Sequence, residues 1–246
     1  MSGSYGSQDR LDIGRVIGRA GQALAAQPLP FGGLAVILGI GPQVLADLAA
    51  LDLPFGIGFW MQWSSSAISL FAATLLLVAS IAVAAQQMTV GNVDIALALR
   101  ESMSRILPFA AHMVLWVIAI FIGFAIFTIP GFLLICAFAV SMPALVLERT
   151  SITHSFRRSR DLTRGSRWRI FALVLCAILF WVLTMAARDL IPAFGGPAPG
   201  FLRSLVDAAF SSVGWIFVAA MTTSLFLELK LVRDGPETDI LEEIFS

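Results

Sequence analysis

The stretch FAAHMVLWVIAIFIGFAIFTIPGFLLICAFAVSMPALVL, residues 109–147, decides the fold class. It holds two apolar runs, Phe109–Phe127 and Phe132–Leu147, with no Asp, Glu, Lys or Arg, separated by Thr128-Ile129-Pro130-Gly131. Each run is close to the length that a helix needs to cross a hydrocarbon core of roughly 30 Å. Pro and Gly between them supply the break, which predicts a tight turn and hence a membrane hairpin. Working outward, Leu34–Ala50, Ala67–Ala85, Phe171–Ala187 and Ala208–Leu227 are comparable runs. The chain is 58% hydrophobic and 13% charged, against about 45–50% and about 25% for an average soluble domain. A soluble core could not hide that much apolar surface, so the expectation is an all-α integral membrane protein with six transmembrane helices.

The formal net charge is zero, so no global field favours nucleic acid or an acidic substrate. The distribution of charge is informative instead. Segments 1–30, 87–107, 148–170 and 229–246 hold 14 of the 16 Lys and Arg residues, and the opposite connections hold only Arg188 and Arg203. The positive-inside rule then predicts both termini in the cytoplasm. The first apolar run follows an amphipathic stretch with no small-residue cleavage site, so no removable signal peptide is expected. Residue 2 is Ser and the chain ends Glu-Ile-Phe-Ser, so neither a myristoylation nor a prenylation pattern is read. Cys136 and Cys176 lie inside apolar runs and are expected to be small buried hydrophobes. They do not make a metal site, which needs three or four convergent ligands.

The basic connections carry helical periodicity. Residues 11–24, LDIGRVIGRAGQAL, place Ile13, Val16, Ile17, Ala20 and Leu24 on one face and Asp12, Arg15, Arg19 and Gln22 on another. Gly14, Gly18 and Gly21 form a small stripe, whose expected use is close approach of another helix. Residues 93–106, VDIALALRESMSRI, repeat the design, with Ile95, Leu99, Met103 and Ile106 opposite Asp94, Glu101 and Arg105. Residues 152–165, ITHSFRRSRDLTRG, put Arg157, Arg160 and Arg164 on one stripe, Ile152 and Phe156 on another, and a glycine stop at Gly165. The order helix, span, return span recurs three times. We therefore expect one membrane domain, 1–246, with repeat units at about 11–86, 93–149 and 152–228 and a polar tail at 229–246. The three short helices are expected to lie along the cytoplasmic interface. Of the outer connections, 51–65 carries Phe55, Phe59, Trp60 and Trp63, an expected interfacial belt. Residues 188–203 are read as too rich in Pro and Gly for a helix.

Few residues invite chemistry. Among the apolar runs, His112 could relay a proton, and Asp47 and Gln43 beside Gly41 and Pro42 could mark a transport site. The plainer readings are a histidine bonded to a carbonyl and an aspartate at the outer interface. Glu148 and Glu228 close the fourth and sixth runs, and Arg100 falls on the apolar side of its short helix. A half-buried arginine wants a carboxylate, so a Glu148–Arg or Glu228–Arg pair tying a short helix to the bundle is expected. No pair of carboxylates at useful spacing, no Ser/His/Asp order and no phosphate-binding glycine loop is present. The residues therefore predict a non-catalytic protein without a cofactor.

The strongest signal is Arg157, Arg158, Arg160, Arg164, Arg167 and Arg169, six arginines in thirteen residues. Near an anionic leaflet each adds about 1 kcal/mol of attraction, and a guanidinium forks onto phosphate oxygens. Arg157, Arg158, Arg160, Arg164 and Arg167, with Ser159 and Thr163 beside them as hydroxyl donors, are the candidate lipid-phosphate site. Ordinary topogenic charge is the alternative.

The stretch Glu148–Phe171 resembles the Arg-Ser-x-x-Leu-Thr-x-Gly-x-x-Trp segment of a bacterial six-span group, the membrane domain of glycerophosphoryl diester phosphodiesterase. Arg158, Ser159, Leu162, Thr163, Gly165 and Trp168 carry it. The ending LFLELKLVRDGPETDILEEIFS is similar to that group's ending at Phe226, Glu228, Leu229, Lys230 and Gly235, with Lys230 where Arg is usual and Phe226 where Tyr is common. The resemblance implies a six-span bacterial inner-membrane protein. It does not carry the enzyme activity, because the catalytic barrel fused to that domain has no counterpart here and neither His112 nor His154 has an acidic partner motif. The expected function is engagement of anionic phospholipid at the cytoplasmic face, in a lipid-binding or scaffolding role, with a protein partner in the membrane as a further expectation. Transport of a small or lipidic solute through the bundle stands beside it.

Overall fold

A computed structural model describes residues 11–49, 55–195 and 200–235; among them every regular element is helical and no strand occurs. The elements are α1 (Ile13–Ala26), α2 (Pro28–Leu34), a π-helical turn (Ala35–Ile40), α3 (Gly41–Ala49), α4 (Phe55–Thr89), α5 (Ile95–Ile126), α6 (Thr128–Ala137), α7 (Ser141–Leu147), α8 (Ile152–Thr163), α9 (Arg167–Gly195) and α10 (Gly200–Asp234). Among the described residues, six stretches are long and apolar enough to cross a membrane: Pro28–Leu45, Ala67–Thr89, Ile95–Ile126, Thr128–Leu147, Arg167–Ala187 and Ser204–Asp234. The chain thus has the make-up of an integral membrane protein.

α4 and α10 form the central pair. The run Leu75–Ala85 of α4 is buried throughout, and Ala219, Ala220, Leu225 and Phe226 of α10 pack within the same core. α5 packs on α4 and α6, and α9 on α6 and α10. The outer surfaces of α5 and α9 remain apolar, with Ile118, Phe121, Ile122, Leu179, Val182 and Leu183 exposed. That surface is costly in water and neutral against acyl chains.

Local chemistry explains where the elements start and break. Asp12 caps α1, its carboxylate accepting from the Gly14 and Arg15 N–H groups at 2.9 and 3.4 Å. Asp94 caps α5 through the Leu97 N–H at 3.0 Å. Both aspartates therefore stand before their helices rather than on the polar faces assigned from sequence, and each satisfies N–H groups that a first turn leaves open. The first span contains a π-helical turn, where Gly39 meets α10: a Cβ there would lie 1.9 Å from Ser212 Oγ. The fourth span breaks at Phe138–Val140 between α6 and α7. Pro143 is the cause at hand, since it has no N–H to offer the carbonyl of Ala139 and its ring crowds that turn.

Several expectations are corrected. Residues 93–106 do not form a separate helix: from Ile95 they are the first part of α5, and Pro108 sits inside that helix. Its buried side is Ala98 and Ser102, while Ile95, Leu97 and Met103 are exposed. The expected turn at 128–131 is a single extended residue, Phe127, followed at once by α6. Residues 55–65 belong to α4; of 188–203, read from sequence as too rich in Pro and Gly for a helix, 188–195 continue α9 and 200–203 open α10, while 196–199 lie outside the described residues. The side chains of Phe55, Phe59, Trp60 and Trp63 lie outside the described ones. The Gly14, Gly18 and Gly21 stripe is exposed; a Cβ at Gly18 or Gly21 would touch nothing, and α1 instead packs through Val16, Ala20 and Ala23. Cys136 is buried, but Cys176 is exposed on α9.

Candidate functional site

The basic segments gather at one end of the bundle. α1 is held to α10 there by Glu228, which is buried and receives Arg15 Nη2 at 2.8 Å and Arg19 Nη1 at 3.3 Å. Ser224 Oγ donates to the Val16 carbonyl at 2.9 Å, and Arg169 Nη1 donates to the Leu11 carbonyl at 2.6 Å. Arg149 pairs with Glu101, tying the α7–α8 connection to α5. Arg158 is half-buried; its Nε donates to both Glu148 oxygens at 3.1 and 3.2 Å, and its Nη groups reach Asp234 at the end of α10. Burial alone favours a neutral Arg158, but hydrogen bonds and charge from Asp234 and Glu148 outweigh it and hold the guanidinium above the usual arginine value.

These contacts sort the residues expected from sequence. Glu148 and Glu228 each pair with an arginine of a short helix, Arg158 on α8 and Arg15 with Arg19 on α1. Arg100 is exposed and joins no ion pair among the described residues, because the inward side of its turn is Ala98 and Ser102. Arg158 is a structural tie between α7, α8 and α10, not a residue open to a headgroup. Ser159 and Thr163 are corrected too: both are fully buried on the inner face of α8 and donate to the Ala137 carbonyl at 2.8 and 3.3 Å. The helix break after Ala137 leaves that carbonyl without an intrahelical donor, and the two hydroxyls supply it.

Four arginines of the candidate lipid-phosphate site remain open. Arg157, Arg160 and Arg164 are exposed and Arg167 is half-buried. Together with Asp161 and Gly165 they line a cleft of about 510 Å³. None of the four joins an ion pair among the described residues, and the Arg167 Nε is buried without a hydrogen-bond partner. Asp161 is the single carboxylate of the lining, so the cleft is strongly cationic. Arg157 and Asp161 also line a neighbouring cleft of about 630 Å³, but there Glu148, Arg158, Lys230 and Asp234 mix both signs of charge. His154 is exposed at its edge.

The polar residues singled out within the spans, His112 and Gln43, lie in separate places. His112 is fully buried; one ring nitrogen lies 3.0 Å from Ser141 Oγ and the other 3.2 Å from Ser155 Oγ, and its ring stacks on Phe156 at 4.2 Å. It is bridged to two serines rather than bonded to a carbonyl of its own helix, and it links α5, α7 and α8. Nothing local in the sequence indicates this, because Ser141 and Ser155 lie 29 and 43 residues away. Gln43 instead lines a cavity of about 210 Å³ with Ser69, Asp207, Ser211, Ser212 and Trp215, beside the π-helical turn. Asp47 belongs to α3, and its side chain lies outside the described ones. Among the described residues no three His, Cys, Asp or Glu side chains converge as a metal site would require.

No curated protein and no solved structure matches the chain. A family model matches residues 81–229, from the buried half of α4 to the end of the core of α10, and so takes in α8 and the arginine cleft. With more than half of its length matched, the chain belongs to that family, described as Domain of unknown function (DUF7847).

Proposed function

We propose that this is a non-catalytic bacterial inner-membrane protein that engages anionic phospholipid at the cytoplasmic face, in a lipid-binding or scaffolding role. One observation carries the reading. Arg15, Arg19, Arg149 and Arg158 each have a carboxylate partner, whereas Arg157, Arg160, Arg164 and Arg167 share one cleft with a single carboxylate. Topology needs charge but no such concentration of open guanidinium groups on one surface. A phosphodiester supplies the acceptor oxygens that these groups lack. The arginine end is then cytoplasmic and both termini lie inside, as the charge asymmetry implies. The likeness of Arg158, Ser159, Leu162, Thr163, Gly165 and Trp168 to the membrane domain of glycerophosphoryl diester phosphodiesterase supports a lipid-side role.

The test replaces Arg157, Arg160 and Arg164 with Gln and measures anionic lipid retained by the purified protein. A marked loss with the fold intact is expected; unchanged retention would return these arginines to topology alone. Transport is the second reading, favoured by the cavity of Gln43, Ser69, Asp207, Ser211 and Ser212 beside a π-helical turn, a feature that recurs at functional sites. Proton flux into dye-loaded proteoliposomes that falls in a Gln43→Leu/Ser212→Ala variant would favour it.

A further inference from the structure

The arginine cleft does not end at the arginines. Gly165 and Arg167 also form the mouth of a second cleft of about 510 Å³, whose walls are Ile129, Phe132, Leu133 and Cys136 of α6 and Trp168 and Phe171 of α9. Its volume lies within the roughly 300–1,000 Å³ of small-molecule sites. The α6 residues recur at i, i+3, i+4 and i+7, so one helical face forms the wall over about 10 Å of helix length. The opposite wall is aromatic, with Phe171 edge-on to both Phe132 at 5.6 Å and Trp168 at 6.2 Å. Trp168 is 85% exposed, a large aromatic surface left open beside the mouth.

The two clefts share Gly165 and Arg167 in their linings, and the space beside Gly165 is open. Gly165 has φ +96°, and a Cβ built there would meet nothing within 4 Å. No side chain closes the junction from that position. α9 begins at Arg167, so the positive end of its dipole lies at the same mouth. Arg167 thus lines both clefts, with a buried Nε that has no hydrogen-bond partner among the described residues. A cationic pocket running into an apolar groove between two spans fits one ligand chemistry: an anionic head covalently attached to a hydrocarbon chain.

We propose that the joined clefts hold a single glycerophospholipid of the adjacent leaflet, its phosphate on Arg164 and Arg167 and one acyl chain along the α6–α9 groove. This rests on the reading of the arginine face as an anionic-lipid site and adds to it: the lipid is taken by its chain as well as its charge. Arg160 and Arg157 widen the cationic region, while Cys136 and Leu133 bound the chain. Selectivity should then depend on both ends of the ligand, so that soluble glycerol 3-phosphate competes poorly although it carries the same phosphate.

The experiment uses the full chain in nanodiscs containing phosphatidylglycerol with a diazirine in one acyl chain, followed by photolysis and peptide mapping. Crosslinks are expected to concentrate on residues 129–136 and 168–171. Leu133 is 48% exposed, so Leu133→Trp fills the groove without a demand on the core. It should lower those crosslinks about tenfold, the scale on which an apolar pocket rejects an added group. The Arg157→Gln/Arg160→Gln/Arg164→Gln variant should lower them as well, and thermal unfolding of both variants checks that the fold survives. Crosslinks spread evenly over the exposed apolar faces, or unaffected by Leu133→Trp, would overturn the chain-binding groove. If the arginine variant still lost anionic lipid in that case, the surface reading would stand without it. If neither variant altered retention or crosslinking, both would fall.

Discussion

Ser159 Oγ donates to the carbonyl of Ala137 at 2.8 Å, joining the inner face of α8 to the point where the fourth span breaks. Thr163 approaches the same oxygen at 3.3 Å. A carbonyl released by a helix break inside an apolar bundle is expensive without a donor. We expect Ser159→Ala to destabilise the protein by about 1–3 kcal/mol, and Ser159→Ala/Thr163→Val by more, since the second variant leaves neither hydroxyl. Thermal unfolding in detergent reads this. Anionic lipid retention in the folded protein should be unchanged, because neither side chain reaches the arginine cleft.

The clasp of α1 on α10 should respond asymmetrically. Glu228 is 3% exposed, whereas the Arg15 and Arg19 side chains are about half-exposed. Removing both arginines by Arg15→Gln/Arg19→Gln strands a buried carboxylate, a loss on the order of 2–3 kcal/mol after solvent screening. Glu228→Gln leaves two guanidinium groups that can turn to water and should cost less. Limited proteolysis within 11–26 and the unfolding midpoint of each variant measure the order; a larger loss for Glu228→Gln would refute it.

Gly39 is a close-approach position. A Cβ there would stand 1.9 Å from Ser212 Oγ and 2.8 Å from Ser212 Cβ, and that hydroxyl is already bonded to the Ala208 carbonyl at 2.7 Å. Gly39→Ala should therefore destabilise by about 1–3 kcal/mol. Adding Ser212→Gly removes the obstacle, so the double variant should regain most of the stability, a coupling that a double-mutant cycle measures.

Orientation has a direct test. In a background with Cys136 and Cys176 replaced by Ser, a single cysteine at position 198, outside the described residues, should react with a membrane-impermeant thiol reagent from outside the cell. A cysteine replacing Ser246 should react only after permeabilisation. Labelling in the reverse order would invert the topology and remove the cytoplasmic placement of the arginine cleft.

The sequence by itself determined that the chain is helical, that it has six membrane-length apolar stretches, and that its basic residues collect in alternate connections. Each of these is a property of a short window, because hydropathy and helical period sum over neighbouring residues. It also marked residues 157–169 as the place to look, since the density of arginine there is visible without any partner. Tertiary structure alone decided which arginines hold the fold and which stay open. Arg19 meets Glu228 across 209 residues and Arg158 meets Asp234 across 76. Local periodicity carries no information about those partners. The same holds for Ser159 and Thr163, polar neighbours of an arginine stripe in the sequence, which the bundle turns inward toward a carbonyl freed by the break in a different helix. The groove between α6 and α9 is likewise a product of packing: Phe132 and Phe171 become its walls only when two spans that are separate in sequence are set side by side.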